Sequence, residues 1–426
     1  MAKEKNWTIL VYMAGDNNLD AAGVVDLMEM KQVGSTNLMN VIVQFDRQGK
    51  DTATKRYQIR KGGTLANDVV ASLGETNMGD PNVLEDFVTW GAKNYPAKHY
   101  LLVLWNHGAG WDDSNLYEGD VFSDTTPPVS RKKKLLASGR TVARGIKPLP
   151  FMQTRAALSH NSRALFRTSV EKAMKSRAIA FDDQAQDFLD NIELKQVMTR
   201  IKKGLKRSID ILGMDACLMS MTEVVYQIRD TANYSVASEE TEPGDGWPYD
   251  RILKALAADP GMTPENFSKL IVTQYIDSYK SGDNVTQSAV RFANLNALTG
   301  AISNLGESLL KTIADPSQCV AIMTARAKVQ KYSRPYDEYC DLLDLCSLLE
   351  ISSTDGQVRT ACGAVKTSVM DAIVVSGCKG SAVSKSHGLS IYFPKHRLSP
   401  LYKTLDFTKA SAWDKFLEAY ISCLGR

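Results

Sequence analysis

No apolar run in this chain of 426 residues approaches the ~20 residues that a membrane-spanning helix needs. The seven cysteines (Cys217, Cys319, Cys340, Cys346, Cys362, Cys378 and Cys423) are odd in number and include no Cys-x-x-Cys pair. That pattern argues against both a disulfide framework and a zinc site, and most of these thiols read as reduced, buried, small hydrophobes. Histidine is scarce: His99, His107, His160, His387 and His396 are the only imidazoles available for chemistry. There is no internal repeat, no low-complexity tract and no EF-hand-like loop. The start, "MAKEKNWTILVYMAG", is charged and then apolar but carries no signal-peptide cleavage site. It reads as a first strand, and the expectation is a cytoplasmic protein, or a secreted one where a leader has been removed ahead of the numbering.

What the chain does have is ordinary globular material: 44% hydrophobic and 23% charged residues, enough for a large core, at a length that suggests two or three domains. Its net charge of +3 hides an uneven distribution. Between Arg131 and Arg177 thirteen Lys and Arg stand against one acid, Glu171, so this segment carries +12 and the rest of the chain −9.

The first half alternates apolar strand runs with helical spacing. "WTILVYMAG", "NVIVQFD", "HYLLVLWNHG", "IDILGMDAC" and "YSVASEE" are strand-like; "LDAAGVVDLMEMKQVG", "PNVLEDFVTWGAKNY", "NIELKQVMTRIKKGLKR" and "MTEVVYQIRDTA" are helical. Strands apolar on both faces and separated by helices predict a parallel sheet covered on both sides, with ligands outside the carboxyl ends of its strands. From about Asp250 the texture shifts to longer helices, with "TQSAVRFANL" and "HGLSIYFP" as strands. This predicts a first domain over residues 1–250 and a C-terminal subdomain over 251–426 packed on it, returning one strand to the main sheet. Residues 125–181 interrupt the rhythm with four prolines, small residues and no periodicity, as a long exposed insertion would.

Two strands end in chemistry. In "IDILGMDACLMS" an apolar run stops at Asp215 and, two residues on, Cys217. In "LLVLWNHGAGW" a strand runs into Asn106, His107 and a glycine turn, where Gly108 can bring its N–H close to a substrate oxygen. A thiol attacks only as thiolate and needs a base or a positive field nearby, and His107 is the imidazole best placed. Each residue also has a plainer reading. Cys217 can be a packing thiol, and Asp215 can cap the helix that begins near Met221. Asp245 in "EPGDGWPYD" can be a turn residue, and "AGDNNLD" a helix cap and turn. Trp111 and Trp247 either line a cleft or cover the sheet.

"WTILVYMAGDNNLD", "LLVLWNHGAGW", "GMDACLMSMTEVVYQI", "ASEETEPGDGWPYD" and "HGLSIYFP" together resemble the clostripain family of cysteine peptidases, in the same order and over most of the chain. The resemblance implies an α/β, caspase-like three-layer sandwich with a mostly parallel central sheet, plus a C-terminal α/β subdomain. It implies Cys217 as nucleophile, His107 as general acid, and the N–H groups of Gly108 and Cys217 as oxyanion hole. Asp215, and with it Asp245, would stand in the pocket that takes an Arg or Lys side chain of a protein or peptide substrate. It also implies activation by self-cleavage between His107 and Cys217, within Arg131 to Arg177. Calcium is left open as a cofactor and no metal ligand is assigned. The basic segment has three readings: a solvated loop, a patch for nucleic acid or anionic membrane, or a self-cleavage linker. With Phe151 and Phe166 as its only aromatics it lacks the interleaving expected of a nucleic-acid surface, and no nucleic-acid partner is expected. The competing function is a non-peptidase binding or regulatory protein that uses this segment.

Overall fold

The computed structural model describes residues 3–49, 53–106, 108, 110–111, 189–332 and 337–424. His107, His160 and the basic segment in which self-cleavage is expected lie outside the described residues.

Strand β1 (Lys5–Gly15) shows how the sheet is built. Trp7, Ile9, Val11 and Met13 enter one apolar cluster, and Leu10, Tyr12 and Ala14 the other, as the two-residue period of a strand requires. The same division runs through β2 (Met39–Arg47), β5 (Ala97–Trp105), β6 (Ile209–Asp215) and β7 (Ala232–Ala237). These five lie side by side and parallel in the order β2-β1-β5-β6-β7. Antiparallel margins complete nine strands: β3 (Thr54–Gln58) and β4 (Val69–Gly74) beyond β2, and β8 (Val285–Arg291) and β11 (Ile373–Lys379) beyond β7. A small second sheet joins β9 (Lys331–Tyr332), β10 (Tyr339–Asp341) and β12 (Ser390–Tyr392).

Helices cover both faces, which gives the expected three-layer sandwich. On one face lie α1 (Asp20–Val33), with Leu27 and Met30, and two later helices introduced below with Ile252 and Phe267. On the other lie α2 (Pro81–Asn94), α3 (Asn191–Leu205) and the six-residue α4 (Thr222–Gln227). The helix starts were written in the sequence. Asp80 accepts from Asn82 N–H with Pro81 in the first turn, and Asp190 with Glu193 closes a full capping box. Helices α5 (Tyr249–Ala258) and α6 (Pro264–Ser278) belong to the α1 face. The C-terminal helices α7 (Leu295–Thr312), α8 (Pro316–Lys328), α9 (Leu342–Ser352), α10 (Gly356–Ala372), α11 (Asp406–Ala410) and α12 (Trp413–Leu424) extend the other face.

Two features depart from the sequence reading. Residues after 250 give the main sheet two strands, β8 and β11, rather than one. Cys319 on α8 and Cys423 on α12, 104 residues apart, form a disulfide, which leaves five free thiols. An odd count argues against complete pairing but says nothing against a single bridge. No helix among the described residues is long and apolar enough to cross a membrane.

Candidate active site

The parallel pairing of β5 with β6 aligns Trp105 with Asp215, so both strands end at the same edge of the sheet. Asn106 N–H donates to the Asp215 carbonyl at 3.3 Å and extends the contact one residue further. The Asn106 side chain is held by the Ala14 carbonyl and, at 3.4 Å, by Asn17 Nδ2. Asn17 thus serves the turn after β1 rather than capping α1, whose first turn has no side-chain cap.

Beyond position 107 the chain turns back onto the end of β6. A Cβ built on Gly108 would lie 1.8 Å from the Cys217 carbonyl oxygen and 2.6 Å from its nitrogen, so only glycine fits there. Gly110 has φ +71°, and its Cβ would meet Met221 sulfur at 2.5 Å. Among the described residues, neither Gly108 N–H nor Cys217 N–H donates to another backbone group. Backbone N–H groups without backbone acceptors are the kind of donor an oxyanion takes.

Cys217 sits on a constrained turn. Leu218, next in sequence, has φ +66°, a left-handed conformation costly for a branched side chain, and Leu218 N–H is tied to the Glu240 carbonyl at 3.2 Å. Ser220 N–H donates to the Ser238 carbonyl at 2.8 Å, so residues 217–220 run beside residues 238–242. Cys217 Sγ accepts from Glu242 N–H at 3.2 Å and is only 4% exposed. Burial pushes its thiol up to about 12; the Glu242 N–H opposes this, and the charges of Glu242 and Glu240 add to it. In this conformation the sulfur is a neutral thiol.

Asp215 is buried in an acidic nest. Its Oδ2 accepts from Tyr249 O–H at 2.8 Å and from Trp247 N–H at 3.3 Å, and its Oδ1 lies against Gly246. It does not cap α4, whose N-cap position is Met221. Burial raises its carboxyl to about 6, against hydrogen bonds from Glu242, Tyr249 and Trp247 that favour the charged form. Asp26 of α1 accepts from Trp105 Nε1 at 2.6 Å, and Glu29 accepts from Tyr249 N–H at 3.1 Å. Burial, then the charges of Asp215, Glu29 and Asp245, raise Asp26 well above the usual carboxylate range. Asp245 is half-buried in the turn before Trp247. Trp247 covers the sheet, 2.8 Å from where a Gly213 Cβ would stand, and Trp111 packs between Tyr392 and Tyr402.

The structure therefore brings together Gly108, Cys217 and Asp215, with Asp245 at the margin. Asp26, Glu29, Glu242 and Tyr249 were not visible in the sequence reading as members of this group. Of the described histidines, His99 faces Asp210 at 3.2 Å and His387 faces Asp341 at 2.9 Å. Asp16, Asp46 and Glu75 place one carboxylate oxygen each within 4.8 Å of one another at the ends of β1, β2 and β4. Their hard oxygen donors are of the kind calcium takes.

The chain matches the Clostripain family model over residues 11–124 and 166–420. Clostripain of Hathewaya histolytica is 28% identical over 293 residues, 62% of this chain and 44% of clostripain, so the match spans less than half the length of that relative. A solved secreted cysteine protease from Bacteroides thetaiotaomicron, in complex with an irreversible peptide inhibitor, is similar with TM-score 0.64 and 21% identity, over 96% of this chain and 99% of that one. An inactive zymogen protease from Parabacteroides distasonis gives 0.62 and 21%, over 96% and 99%. At these identities the structural likeness is one of fold.

Proposed function

This chain belongs to the clostripain family, and from that premise we propose that it is a cysteine endopeptidase cleaving after Arg or Lys, made as one chain and activated by self-cleavage within Arg131 to Arg177. The observation that carries the reading is the packing of Gly108 on Cys217, two residues after a buried carboxylate, Asp215. By this reading a nucleophile, two N–H donors and an acid for a basic side chain share one sheet edge.

In the reaction, Cys217 gives up its thiol proton to His107 as Sγ adds to the scissile carbonyl carbon, and the oxygen takes up the negative charge between the N–H groups of Gly108 and Cys217. His107 protonates the departing amine as the C–N bond breaks. It then takes a proton from water, which attacks the thioester and frees Cys217. The substrate's guanidinium or ammonium group sits over Asp215, where a charge-assisted hydrogen bond in a buried setting favours it over neutral side chains. The neutral, buried thiol suits a zymogen, and the basic segment between β5 and β6 offers bonds of the type the pocket would accept. The Cys319–Cys423 disulfide favours an exported protein over the cytoplasmic expectation, and the Bacteroides relative is described as secreted.

The test compares wild type with Cys217→Ala. Wild type should convert to two fragments and hydrolyse Arg-terminated reporter peptides, while Cys217→Ala stays whole and inert. Two uncut chains would remove self-processing. A wild type still silent toward Arg and Lys reporters after tryptic nicking would remove the peptidase reading, and salt-dependent DNA, RNA or vesicle binding by that silent protein would favour the binding alternative.

A further inference from the structure

Glu242 lies between the nucleophile and the pocket and touches both. Its backbone N–H faces Cys217 Sγ at 3.2 Å, while its side chain, 6% exposed, reaches Asp215. Gln287 Nε2 of β8 donates to Glu242 Oε1 at 3.2 Å and the Trp247 indole N–H also faces the Glu242 carboxyl, while Glu242 Oε2 is buried without a hydrogen-bond partner among the described residues. Two carboxyl groups hydrogen-bond each other only when one of them carries a proton.

The described surroundings offer no cation to balance the pair. From α1 come Asp26 and Glu29, from the turn before α5 Asp245, from α5 Tyr249, and from α6 and the residue after it Tyr275 and Tyr279. Glu240 and the Cys217 thiol are further titratable neighbours among the described residues. Among the described residues no Lys or Arg makes an ion pair with Asp215, Glu242 or Asp26. Two adjacent buried carboxylates without a cation would be prohibitively unfavourable, and one proton shared between them removes that cost.

We propose that Glu242 is the second acid of the specificity pocket, sharing one proton with Asp215 while the pocket is empty and releasing it when a guanidinium or ammonium group enters. This rests on the reading of the pocket as the site for a basic side chain. The bound cation then spans two carboxylates rather than one, a geometry that suits the planar fork of Arg. Glu242 is a specificity-determining residue by this reading, and its backbone keeps the filled pocket in register with the sulfur. The direction of its acidity agrees: burial, then the Asp215 charge, hold the Glu242 proton on well above the usual carboxylate range.

The experiment is titration calorimetry of the full chain in its peptide-cleaving form with benzamidine, at pH 7 in buffers of different ionisation enthalpy. Asp215 alone, titrating at about 6, would release only about a tenth of a proton at that pH. Wild type should release several times more, approaching one proton per benzamidine. Glu242→Gln, whose amide mimics the protonated acid, should fall to about the single-acid level and bind benzamidine at least ~10-fold more weakly. Equal release by the two proteins would overturn the proposal. Should Glu242→Gln fail to fold by thermal melting, the wild-type value decides by itself, since release at or below the single-acid level overturns the proposal. A wild type that neither binds benzamidine nor cuts after Arg would instead remove the pocket reading beneath it.

Discussion

Gly108 and Cys217 are packed backbone to backbone, so that a methyl group on residue 108 would fall 1.8 Å from the Cys217 carbonyl oxygen. The contact ties the turn after β5 to the turn after β6 and leaves both N–H groups without backbone acceptors among the described residues. Gly108→Ala should therefore move one or both donors and lower kcat/KM toward an Arg reporter by about 10²-fold or more, the scale of losing an oxyanion donor. Activity within a few-fold of wild type, with a normal melting transition, would show that these N–H groups do not stabilise the reaction.

The uncut chain should be chemically quiet at Cys217. At pH 7.5 a thiol at about 12 is ionised to roughly a few parts in 10⁵, against roughly a tenth for a free cysteine. Alkylation of Cys217 by iodoacetamide in His107→Ala, which cannot process itself, should be at least ~10²-fold slower than for a free thiol. The sign of the pH effect follows from a raised thiol: the rate climbs with each unit up to pH 9.5 and shows no plateau. Mass spectrometry of the peptide containing Cys217 reads this directly. Rapid labelling at pH 7.5 would mean that the sulfur is not held neutral.

Asp215→Asn separates recognition from reactivity. The carboxylate is bonded to Tyr249 and lies against Gly246, with no bond to the sulfur, so its loss should fall on substrates with a basic side chain. Cleavage after Arg should drop by about 10²- to 10³-fold, as expected when a charge-assisted contact in a buried pocket is removed. Alkylation of Cys217 in the nicked protein should change by only a few-fold. Parallel losses in both assays would assign Asp215 to structure.

The parallel strands and helix starts were legible because their signals are local: apolar runs with a two-residue period, Pro81 after Asp80, and Asp190 three residues before Glu193. Asp215 and Cys217 were legible for the same reason, as polar residues that end an apolar run. Glu242 was not. Its place beside Cys217 comes from residues 238–242 lying along residues 217–220, a tertiary pairing with no periodic signature. Asp26 and Glu29 were hidden in a helix where acids normally mark the solvent face, yet here both are buried against Trp105 and Tyr249. Strands β3, β9 and β10 are short or rich in polar residues, β4 is largely exposed, and β11 follows α10 without a turn signal, so these strands gave no clean alternation to read.

Tyr249→Phe offers a test of how the pocket acid is tuned. Tyr249 donates its hydroxyl to Asp215 Oδ2 at 2.8 Å, and that bond favours the charged carboxylate against the burial that raises it to about 6. A hydrogen bond to a charged group in such a setting is worth about 1.5–3 kcal/mol, which corresponds to a rise of about one to two pH units when it is lost. The Asp215 carboxyl in Tyr249→Phe should then titrate near neutrality or above. Since the cation binds the ionised form, KM for an Arg reporter should be close to wild type at pH 8.5 and rise steeply as the pH falls toward 6. In wild type the corresponding rise should appear at lower pH. A profile that loses activity equally at every pH would assign Tyr249 a packing role, because only a change in Asp215 ionisation can move the limb of the curve along the pH axis.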